Sequence, residues 1–292
     1  MKILVTGANG QVGFCLAQQL NKTDWDYKAV TRNELDITDL GAVKKVVSSY
    51  EPNIIINAAA YTAVDKAESD METAHAINCS GAGHLAQAAN AIGAAIFHIS
   101  TDYVFSGDAL LPYAEDDLVA PQGVYGLSKL KGEQLVAANN PHHIILRTAW
   151  VFGEHGNNFV KTMVRLGRDM DHLRVVADQL GAPTYAGDIA AVLLKLAQKY
   201  ENRNSLAWGI YHYSGVPQVS WYEFAQEIFV AADTQSMYAK PIPTLTPIAT
   251  NEYPTPAKRP ANSRLNCEKI QQEFAVELSD WKLALKNIKA YA

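Results

Sequence analysis

The chain opens with an apolar run, Ile3 to Val5, that leads directly into three glycines spaced three residues apart, Gly7, Gly10 and Gly13. A helical pattern begins near Gln11. Glycine at these places permits a tight turn, close approach of backbone N–H groups to a diphosphate, and close packing of helix on strand, while the helix N-terminus favours an anion. A glycine pattern alone is a weak indication, but this one stands at the first strand of a β-α series. The sequence therefore predicts a dinucleotide site.

Short apolar runs alternate with longer helical patterns throughout the first half of the chain. Most of the runs lack the polar alternation of a one-sided sheet, so they predict strands that are buried on both faces. The predicted strands are 3–5, 27–30, 53–57, 94–99 and 143–147, and the predicted helices are 12–20, 40–50, 72–91 and 128–138. This order predicts an α/β fold with a doubly wound parallel sheet, Rossmann-like, and a smaller C-terminal substrate lobe.

The pattern changes after about residue 150. Helical patterns continue at 157–168 and 185–200, but six prolines lie between Lys240 and Arg264, where they favour extended and turn conformations. We therefore expect a dinucleotide-binding domain over residues 1–152 and a mainly substrate-binding lobe over residues 153–292. A segment near 184–212 is a candidate to return to the first sheet.

Composition narrows the class of protein. Of 292 residues, 48% are hydrophobic, enough for a large core, and 25 Lys and Arg against 30 Asp and Glu give a formal charge of -5. Because these charges form no blocks, we expect neither a nucleic acid nor a membrane as a partner. Three widely separated cysteines, and an apolar strand in place of a leader pattern, predict a protein of the reducing cytoplasm.

The end of the second strand indicates the type of dinucleotide. An acidic residue there would hold the ribose hydroxyls of NAD, whereas Arg would accept the 2′-phosphate of NADP. Arg32 favours NADP, although a solvated surface cation is nearly as good an interpretation and Glu34 weakens the preference. Asp36 could accept from the adenine amino group while Ile37 packs on the ring. The alternative for Asp36 is a helix cap, for which Asp39 is a rival.

Small residues follow the third strand, where residues 57–62 read NAAAYT. The alanines leave room for a flat group close to the backbone at the carboxyl end of the strand, as the middle of a dinucleotide requires. Tight helix packing is the alternative interpretation.

Four further residues form a candidate reaction site. Thr101 and Asp102 follow the fourth strand, where doubly wound proteins bind ligands, and Tyr125 and Lys129 are spaced to share one face of a helix. We interpret Tyr125 as a proton donor, Lys129 as the cation that lowers the pKa of the phenol and holds ribose hydroxyls, and Thr101 as the hydroxyl that orients the reacting oxygen. Tyr and Lys at this spacing are also common surface neighbours, so the prediction depends on their order relative to the glycine turn.

These motifs together resemble a known family. TGANGQVG, NAAAYT, STDYVF and YGLSK are similar to the extended short-chain dehydrogenase/reductase superfamily. TAVDKAE, RTAWVFG, GNNFVKTM, DQLGAPT and RPANSRLN resemble the dTDP-4-dehydrorhamnose reductase family within it, and the resemblance runs from residue 1 to the last helix. It implies reduction of the C4 ketone of dTDP-4-dehydro-L-rhamnose to dTDP-L-rhamnose for surface polysaccharide, by NADPH or sometimes NADH.

The resemblance also implies roles for particular residues. Tyr125, Lys129 and Thr101 would be catalytic, with Asp102 beside them. The cofactor-binding residues would be Gly7, Gly10, Gln11, Val12, Gly13, Arg32, Asp36, Ile37, Ala58, Ala60, Tyr61, Thr62, Tyr125 and Lys129. The substrate-binding residues would be Thr101, Asp102, Trp150, Val64, Asn158 and Arg259. A core or interdomain aromatic is the competing interpretation of Trp150, and a loop salt bridge that of Arg259.

Two other functions remain open at this point. Related dehydratases carry a glutamate after the aspartate of the fourth-strand motif, where this chain has Tyr103, so a dehydratase or epimerase is disfavoured. A non-catalytic NADP-binding regulatory subunit is the second alternative, which the intact Thr101, Tyr125 and Lys129 disfavour. Mg²⁺ is implied by the resemblance alone, because no carboxylate spacing requires a metal and Cys15 stands where relatives can carry an acid. We expect a monomer or a homodimer.

Overall fold

The computed structural model describes residues 1–292. Its strands are β1 (Lys2–Thr6), β2 (Asp26–Val30), β3 (Ile54–Asn57), β4 (Ala95–Thr101), β5 (His143–Thr148), β6 (Val151–Phe152), β7 (His172–Val176), β8 (Leu180–Gly181), β9 (Thr184–Tyr185), β10 (Gly209–His212), β11 (Gly215–Val216), β12 (Val219–Ser220), β13 (Thr244–Ile248) and β14 (Ser279–Asp280). Its α-helices are α1 (Gln11–Leu20), α2 (Leu40–Tyr50), α3 (Val64–Ala67), α4 (Met71–His75), α5 (Ala82–Ala91), α6 (Val124–Asn139), α7 (Phe159–Asp169), α8 (Ala186–Arg203), α9 (Trp221–Thr234), α10 (Glu268–Phe274) and α11 (Trp281–Leu285). A π-helical segment (Ala76–Gly81) joins α4 to α5, and 3₁₀ helices lie at Asp102–Val104, Thr250–Glu252 and Ile288–Tyr291.

A six-stranded parallel sheet of order β10-β5-β4-β3-β1-β2 lies at the centre of the fold. This confirms the predicted α/β class and the doubly wound parallel sheet. Strand order reverses between β1 and β3, and doubly wound sheets bind ligands outside the carboxyl ends of the strands at such a point. The edge strand β10 comes from the second half of the chain and pairs with β5.

Helices cover both faces of the sheet because the strands are apolar on both sides. Ile3 and Val5 of β1 belong to the hydrophobic cluster that includes Leu16 of α1 and Leu193 of α8. Leu4, between them, belongs to a second cluster with Val43 and Val47 of α2 and Leu85 of α5, on the other face. The alternation of side chains along a strand thus supplies two cores, as predicted for a parallel sheet.

A third hydrophobic cluster lies in the second half of the chain. It contains Val160 of α7, Phe224 of α9 and Trp281 of α11 among its buried residues. In the proline-rich stretch only β13 is extended, pairing in parallel with β7, and no long helix forms, as predicted. None of the helices offers the length and apolar character that crossing a bilayer would need.

Two predicted helices differ from the observed ones, and both differences have long-range causes. Helix α6 begins at Val124 and not at residue 128, because the Glu68 carboxylate accepts a hydrogen bond from Val124 N (2.9 Å). The predicted helix 72–91 is interrupted by the π-helical segment, in which Asn78 donates to Tyr61 O (3.1 Å) and to Ser128 Oγ (3.0 Å). A π-bulge of this kind often accompanies a functional site.

Helix α6 packs directly on the π-helical segment through Gly132. A Cβ at Gly132 would lie 2.0 Å from Asn78 O, so only glycine fits this contact. The close approach determines where the first two turns of α6, with Tyr125 and Lys129, lie relative to the sheet.

Gly132→Ala tests this packing. On an exposed helix the substitution would stabilise the protein by about 1 kcal/mol. Here we expect the free energy of unfolding to fall by about 1–3 kcal/mol, because the added carbon meets backbone. Urea unfolding followed by circular dichroism measures the change, with Gln134→Ala on the exposed face of α6 as the control, expected within about 0.5 kcal/mol of the parent. A Gly132→Ala protein as stable as the parent would contradict the contact.

Candidate active site

A cavity of about 550 Å³ opens at the carboxyl ends of the central strands. The structure brings together there twelve of the residues that the sequence singled out. They are Gly10, Gln11, Val12, Ala58, Ala60, Thr62, Val64, Thr101, Asp102, Tyr125, Lys129 and Trp150.

The glycine-rich turn forms one wall of this cavity. Gly7 has φ +74°, and a Cβ on it would lie 2.5 Å from Ala59 N, so the turn packs closely against the end of β3. A Cβ on Gly13 would lie 2.1 Å from Gly7 O, which places Gly13 in helix packing and away from ligand contact. Gly10 is the N-cap of α1, and no side chain caps the helix there. This N-terminus suits an anion such as a diphosphate.

Tyr125 stands in the first turn of α6 and faces the cavity. Its surroundings raise the pKa of the phenol above the ordinary value, chiefly because protein replaces water around it, and the charge of Asp102 adds to this. A hydrogen bond with Thr101 acts in the opposite direction. The phenol therefore holds its proton firmly at neutral pH.

Lys129 lies one turn further along α6 and is buried. Its Nζ donates to Ile99 O (2.6 Å) and lies 3.5 Å from Nε2 of His98. Burial lowers the pKa of Lys129 to about 8. The negative charge of Glu133 raises this pKa but only partly offsets the effect of burial. The prediction that Lys129 lowers the pKa of Tyr125 is wrong for this structure, because the ammonium points at Ile99 and His98 and Thr101 is the group that favours the phenolate.

Asp102 is buried beside Thr101, whose hydroxyl donates to Oδ1 (3.0 Å). The second oxygen, Oδ2, is buried without a hydrogen-bond partner. Burial raises the pKa of this carboxyl to about 6, and the nearby hydroxyls of Ser263 and Thr101 only partly offset the rise. Asp102 thus takes up a proton much more readily than an exposed aspartate.

The residues predicted to distinguish NADP from NAD lie outside this cavity. Arg32 is 69% exposed, with Nε 3.6 Å from Asp36 Oδ2. Asp36 accepts from Thr38 N (3.0 Å) and Thr38 Oγ1 (2.7 Å), which lowers its pKa, while Ile37 is buried. Asp39 is the cap of α2 and accepts from Ala42 N (3.0 Å), so the cap belongs to Asp39 and not to Asp36.

Tyr61 is also outside the cavity lining. Its backbone N–H donates to Asn78 Oδ1 (2.8 Å) and its hydroxyl to Asp70 Oδ2 (3.1 Å). The structure therefore gives Tyr61 a part in holding the segment after β3, and its contact with a cofactor stays a prediction.

A second cavity of about 540 Å³ adjoins the first, and Trp150 and Tyr103 line both. Trp150 has φ +48° and stacks on Trp221 with ring centroids 3.5 Å apart. A Cβ on Gly181 would lie 2.2 Å from the indole, so glycine is needed behind it. A bulky residue held in left-handed backbone is uncommon and strained. The stacking on Trp221 and the close contact with Gly181 hold Trp150 in this strained conformation between the two cavities.

Arg259 and Asn158 are placed differently from each other. Arg259 lines the second cavity, forms an ion pair with Asp65 and donates to Tyr103 Oη (3.0 Å). Asn158 caps α7, and its amide donates to Gln11 Oε1 (2.9 Å) and Gly153 O (2.7 Å). Both amide hydrogens of Asn158 are therefore used within the protein near the glycine turn, and its contact with a substrate stays a prediction.

Sequence reasoning missed several residues that shape the site. Trp221 opens α9, which was not among the predicted helices, and His98 lies inside a predicted strand, where a buried apolar residue is usual. Asn78 sits in a predicted helix, and only its contacts with Tyr61 and Ser128 reveal its part. Within residues 1–292 no group of three or more His, Cys, Asp and Glu side chains is arranged to hold a metal ion, so the structure offers no support for Mg²⁺.

A parallel sheet with this reversal point takes a dinucleotide across its edge, and a tyrosine and a lysine one helical turn apart complete a reaction site beside it. The class of protein that this fold and site define is an oxidoreductase of the extended short-chain dehydrogenase/reductase type. Comparison with known families narrows the class further. Residues 1–291 match the family described as RmlD substrate binding domain, and the chain belongs to that family.

Individual relatives agree with this assignment. The chain is 50% identical to a dTDP-4-dehydrorhamnose reductase of Aggregatibacter actinomycetemcomitans, over 100% of this chain and 99% of that protein. A crystal structure of a dTDP-4-dehydrorhamnose reductase from Clostridium acetobutylicum superposes with a TM-score of 0.91 at 43% identity, covering 99% of this chain and 98% of that one. One from Bacillus anthracis, in complex with NADP, has a TM-score of 0.91 at 37% identity, covering 100% and 99%.

The raised pKa of Asp102 predicts a dependence of stability on pH. The folded protein keeps this proton up to about pH 6, whereas the unfolded chain loses it near 3.8, so folding becomes less favourable as pH rises through that window. Asp102→Asn removes the titrating group. We expect the free energy of unfolding of the variant, relative to that of the parent, to increase by on the order of 2 kcal/mol from pH 4 to pH 7.

Urea unfolding of both proteins at the two pH values measures this difference. Asp116→Asn, at an exposed carboxylate, is the control and should show no comparable gain. A stability difference between Asp102→Asn and the parent that is the same at both pH values would contradict the burial argument.

Proposed function

We propose that this protein catalyses the NADPH-dependent reduction of the C4 ketone of dTDP-4-dehydro-L-rhamnose to dTDP-L-rhamnose, with NADH as a second possible reductant. The observation that carries the proposal is the meeting of Thr101, Tyr125 and Lys129 in one cavity, next to a second cavity bounded by Trp150. The names of relatives at 50% and 41% identity over nearly the whole chain support the choice of substrate.

The first cavity fits a dinucleotide. Gln11 and Val12 at the uncapped N-terminus of α1 would hold the diphosphate, while Ala58 and Ala60 leave space beside the backbone of β3. Gly7, whose Cβ would collide with Ala58 and Ala59, lets the turn approach that strand. When bound, the reduced nicotinamide supplies the hydride.

Tyr125 supplies the proton. As the C4 carbonyl oxygen gains negative charge, the phenol of Tyr125 gives it a proton from Oη. A phenol whose pKa is at or above the ordinary value of about 10 carries that proton at neutral pH. The Thr101 hydroxyl, which donates to Asp102 Oδ1 in the absence of substrate, would rotate to orient the carbonyl oxygen and then donate to the phenolate. Lys129, one turn away, lines the same cavity, where it would hold the ribose hydroxyls of the dinucleotide.

The second cavity suits a sugar nucleotide. Its walls include the stacked indoles of Trp150 and Trp221, which offer flat apolar surface to a base or a sugar ring. Arg174 and Arg259 also line it, and a guanidinium is the side chain best shaped to bind a diphosphate. The choice of thymine as the base rests on the relatives' names.

The deciding experiment mixes the purified protein with NADPH and enzymatically generated dTDP-4-dehydro-L-rhamnose and follows the loss of nicotinamide absorbance. We expect turnover that depends on the sugar nucleotide, with dTDP-L-rhamnose as the product. Retained NADPH binding without turnover would replace the proposal by a non-catalytic regulatory role.

Cytoplasmic location and a monomeric or homodimeric state are further parts of the proposal. Three free thiols, at Cys15, Cys79 and Cys267, support a reducing compartment. Light scattering on the purified protein would distinguish the two oligomeric states.

Tyr125→Phe tests the proton donor. We expect kcat to fall by about 10²–10⁴-fold, because the ring and its packing remain while the transferable proton is lost. Tyr27→Phe is the matched control, since its hydroxyl contacts Asn21, far from the cavity, and it should keep full activity. Survival of activity in Tyr125→Phe would assign the proton to Asp102 or to water.

Arg32→Ala tests the preference for NADP. Loss of the guanidinium should weaken NADPH binding by at least about tenfold and leave NADH binding nearly unchanged, because only NADPH carries the 2′-phosphate. Lys28→Ala, an exposed cation on β2, is the control. Fluorescence titration measures both affinities, and equal weakening of the two cofactors would remove the reason for preferring NADP.

A further inference from the structure

A row of buried polar side chains connects β1 to Lys129. The Thr6 hydroxyl donates to Asn57 Oδ1 (2.7 Å), Asn57 Nδ2 lies 2.9 Å from His98 Nδ1, and His98 Nε2 lies 3.5 Å from Lys129 Nζ. All four side chains are at most 2% exposed. Polar groups buried this deeply are costly unless they are paired, so the row calls for a physical reason.

The backbone fixes the orientation of Asn57. Ala59 N–H donates to Asn57 Oδ1 (3.1 Å), on the same oxygen that receives the Thr6 hydroxyl. Turning the amide over would set its NH₂ group against the Ala59 N–H, donor against donor. Asn57 Nδ2 must therefore donate to His98 Nδ1, which makes Nδ1 an acceptor.

The proton of His98 then lies on the other ring nitrogen. The ring is neutral, because burial and the charge of Lys129 hold the pKa of His98 well below its usual range. A neutral imidazole that accepts at Nδ1 carries its proton at Nε2, so an N–H points at Nζ of Lys129. An ammonium has no lone pair to receive it, whereas an amine accepts from His98 while still donating to Ile99 O (2.6 Å).

Of the ionisable groups around Lys129, His98 is the one whose direct contact with Nζ differs between the ammonium and the amine. Tyr125 and Glu133 lie on the same helix, and Asp102 and Tyr103 follow β4. Arg147 of β5 holds Glu133 through Nη2 (2.7 Å) and Nε (2.9 Å), and Ser100 donates to the same carboxylate (2.5 Å). The charge of Glu133 is thus largely committed elsewhere, and its support for an ammonium at Lys129 is reduced.

We propose that His98, held in its Nε2-protonated form by Asn57, is a positioning residue that favours the neutral amine of Lys129 over the ammonium. This inference rests on the proposed function. The amine form of Lys129 accepts a hydrogen bond from His98 Nε2–H, whereas the ammonium form would set donor against donor.

The tautomer of His98 is measured independently of activity. Long-range ¹H–¹⁵N NMR on ¹⁵N-histidine-labelled protein distinguishes a protonated from an unprotonated ring nitrogen. At neutral pH we expect His98 to carry its proton on Nε2 and to leave Nδ1 bare. A proton on Nδ1, or a doubly protonated ring, would overturn the inference whether or not the protein reduces the proposed substrate.

Asn57→Asp tests the link to Lys129. The carboxylate has the same shape as the amide and still accepts from Thr6 and Ala59. It also accepts from His98, so the ring proton moves to Nδ1. The lone pair of Nε2 then faces Lys129 and stabilises the ammonium. We expect the ionisation near pH 8 in the pH profile of kcat/KM to move upward by about one pH unit or more. An unshifted profile would overturn the inference.

Thr6→Val is the matched control. It removes one hydrogen bond from the same row but leaves Ala59 N–H to orient Asn57, so stability should fall while the pH profile stays in place. An equal shift in Thr6→Val would assign the effect to loosened packing and would also overturn the inference. Absence of turnover in the parent protein would count against the proposed function and leave the NMR result to decide on His98.

Discussion

A buried ion pair between Glu133 and Arg147 holds the reactive helix on the sheet. Arg147 of β5 binds the Glu133 carboxylate through two nitrogens, at 2.9 and 2.7 Å, and Ser100 of β4 donates to the same carboxylate. Breaking such a pair leaves a buried charge unpaired, which costs several kcal/mol. Because α6 carries Tyr125 and Lys129, this contact and the Gly132 packing together determine where the phenol and the amine stand relative to the end of β4.

Burial then sets the chemistry of the groups that the fold has placed. Three ionisable side chains at the cavity have pKa values displaced in the direction of their neutral forms: Asp102 upward to about 6, Lys129 downward to about 8, and Tyr125 upward. Removal from water is the largest cause in all three. A reduction needs a phenol that keeps its proton until the substrate oxygen requires it, and a dry site supplies one without a nearby cation.

The sequence predicted what depends on local pattern and missed what depends on distant contacts. Strand β3 was expected at 53–57 and is found at Ile54–Asn57, because a short apolar run between two helical patterns indicates a buried strand. The start of α6 was missed because the carboxylate that accepts from its first N–H belongs to Glu68, 56 residues away. The direction of the Tyr125 pKa was missed because the Tyr-Lys spacing says nothing of where Nζ points. No local pattern indicates the left-handed backbone of Trp150.

The central claim is that Tyr125 and Thr101 face the reacting carbon of a sugar nucleotide, and that the dinucleotide lies on the opposite side of that carbon. A crystal structure of the protein with NADP⁺ and dTDP-L-rhamnose tests this most directly. The account predicts the C4 hydroxyl of the sugar within about 3.2 Å of both Tyr125 Oη and Thr101 Oγ1. A complex in which the sugar binds elsewhere, or in which the phenol is turned away from both ligands, would contradict it.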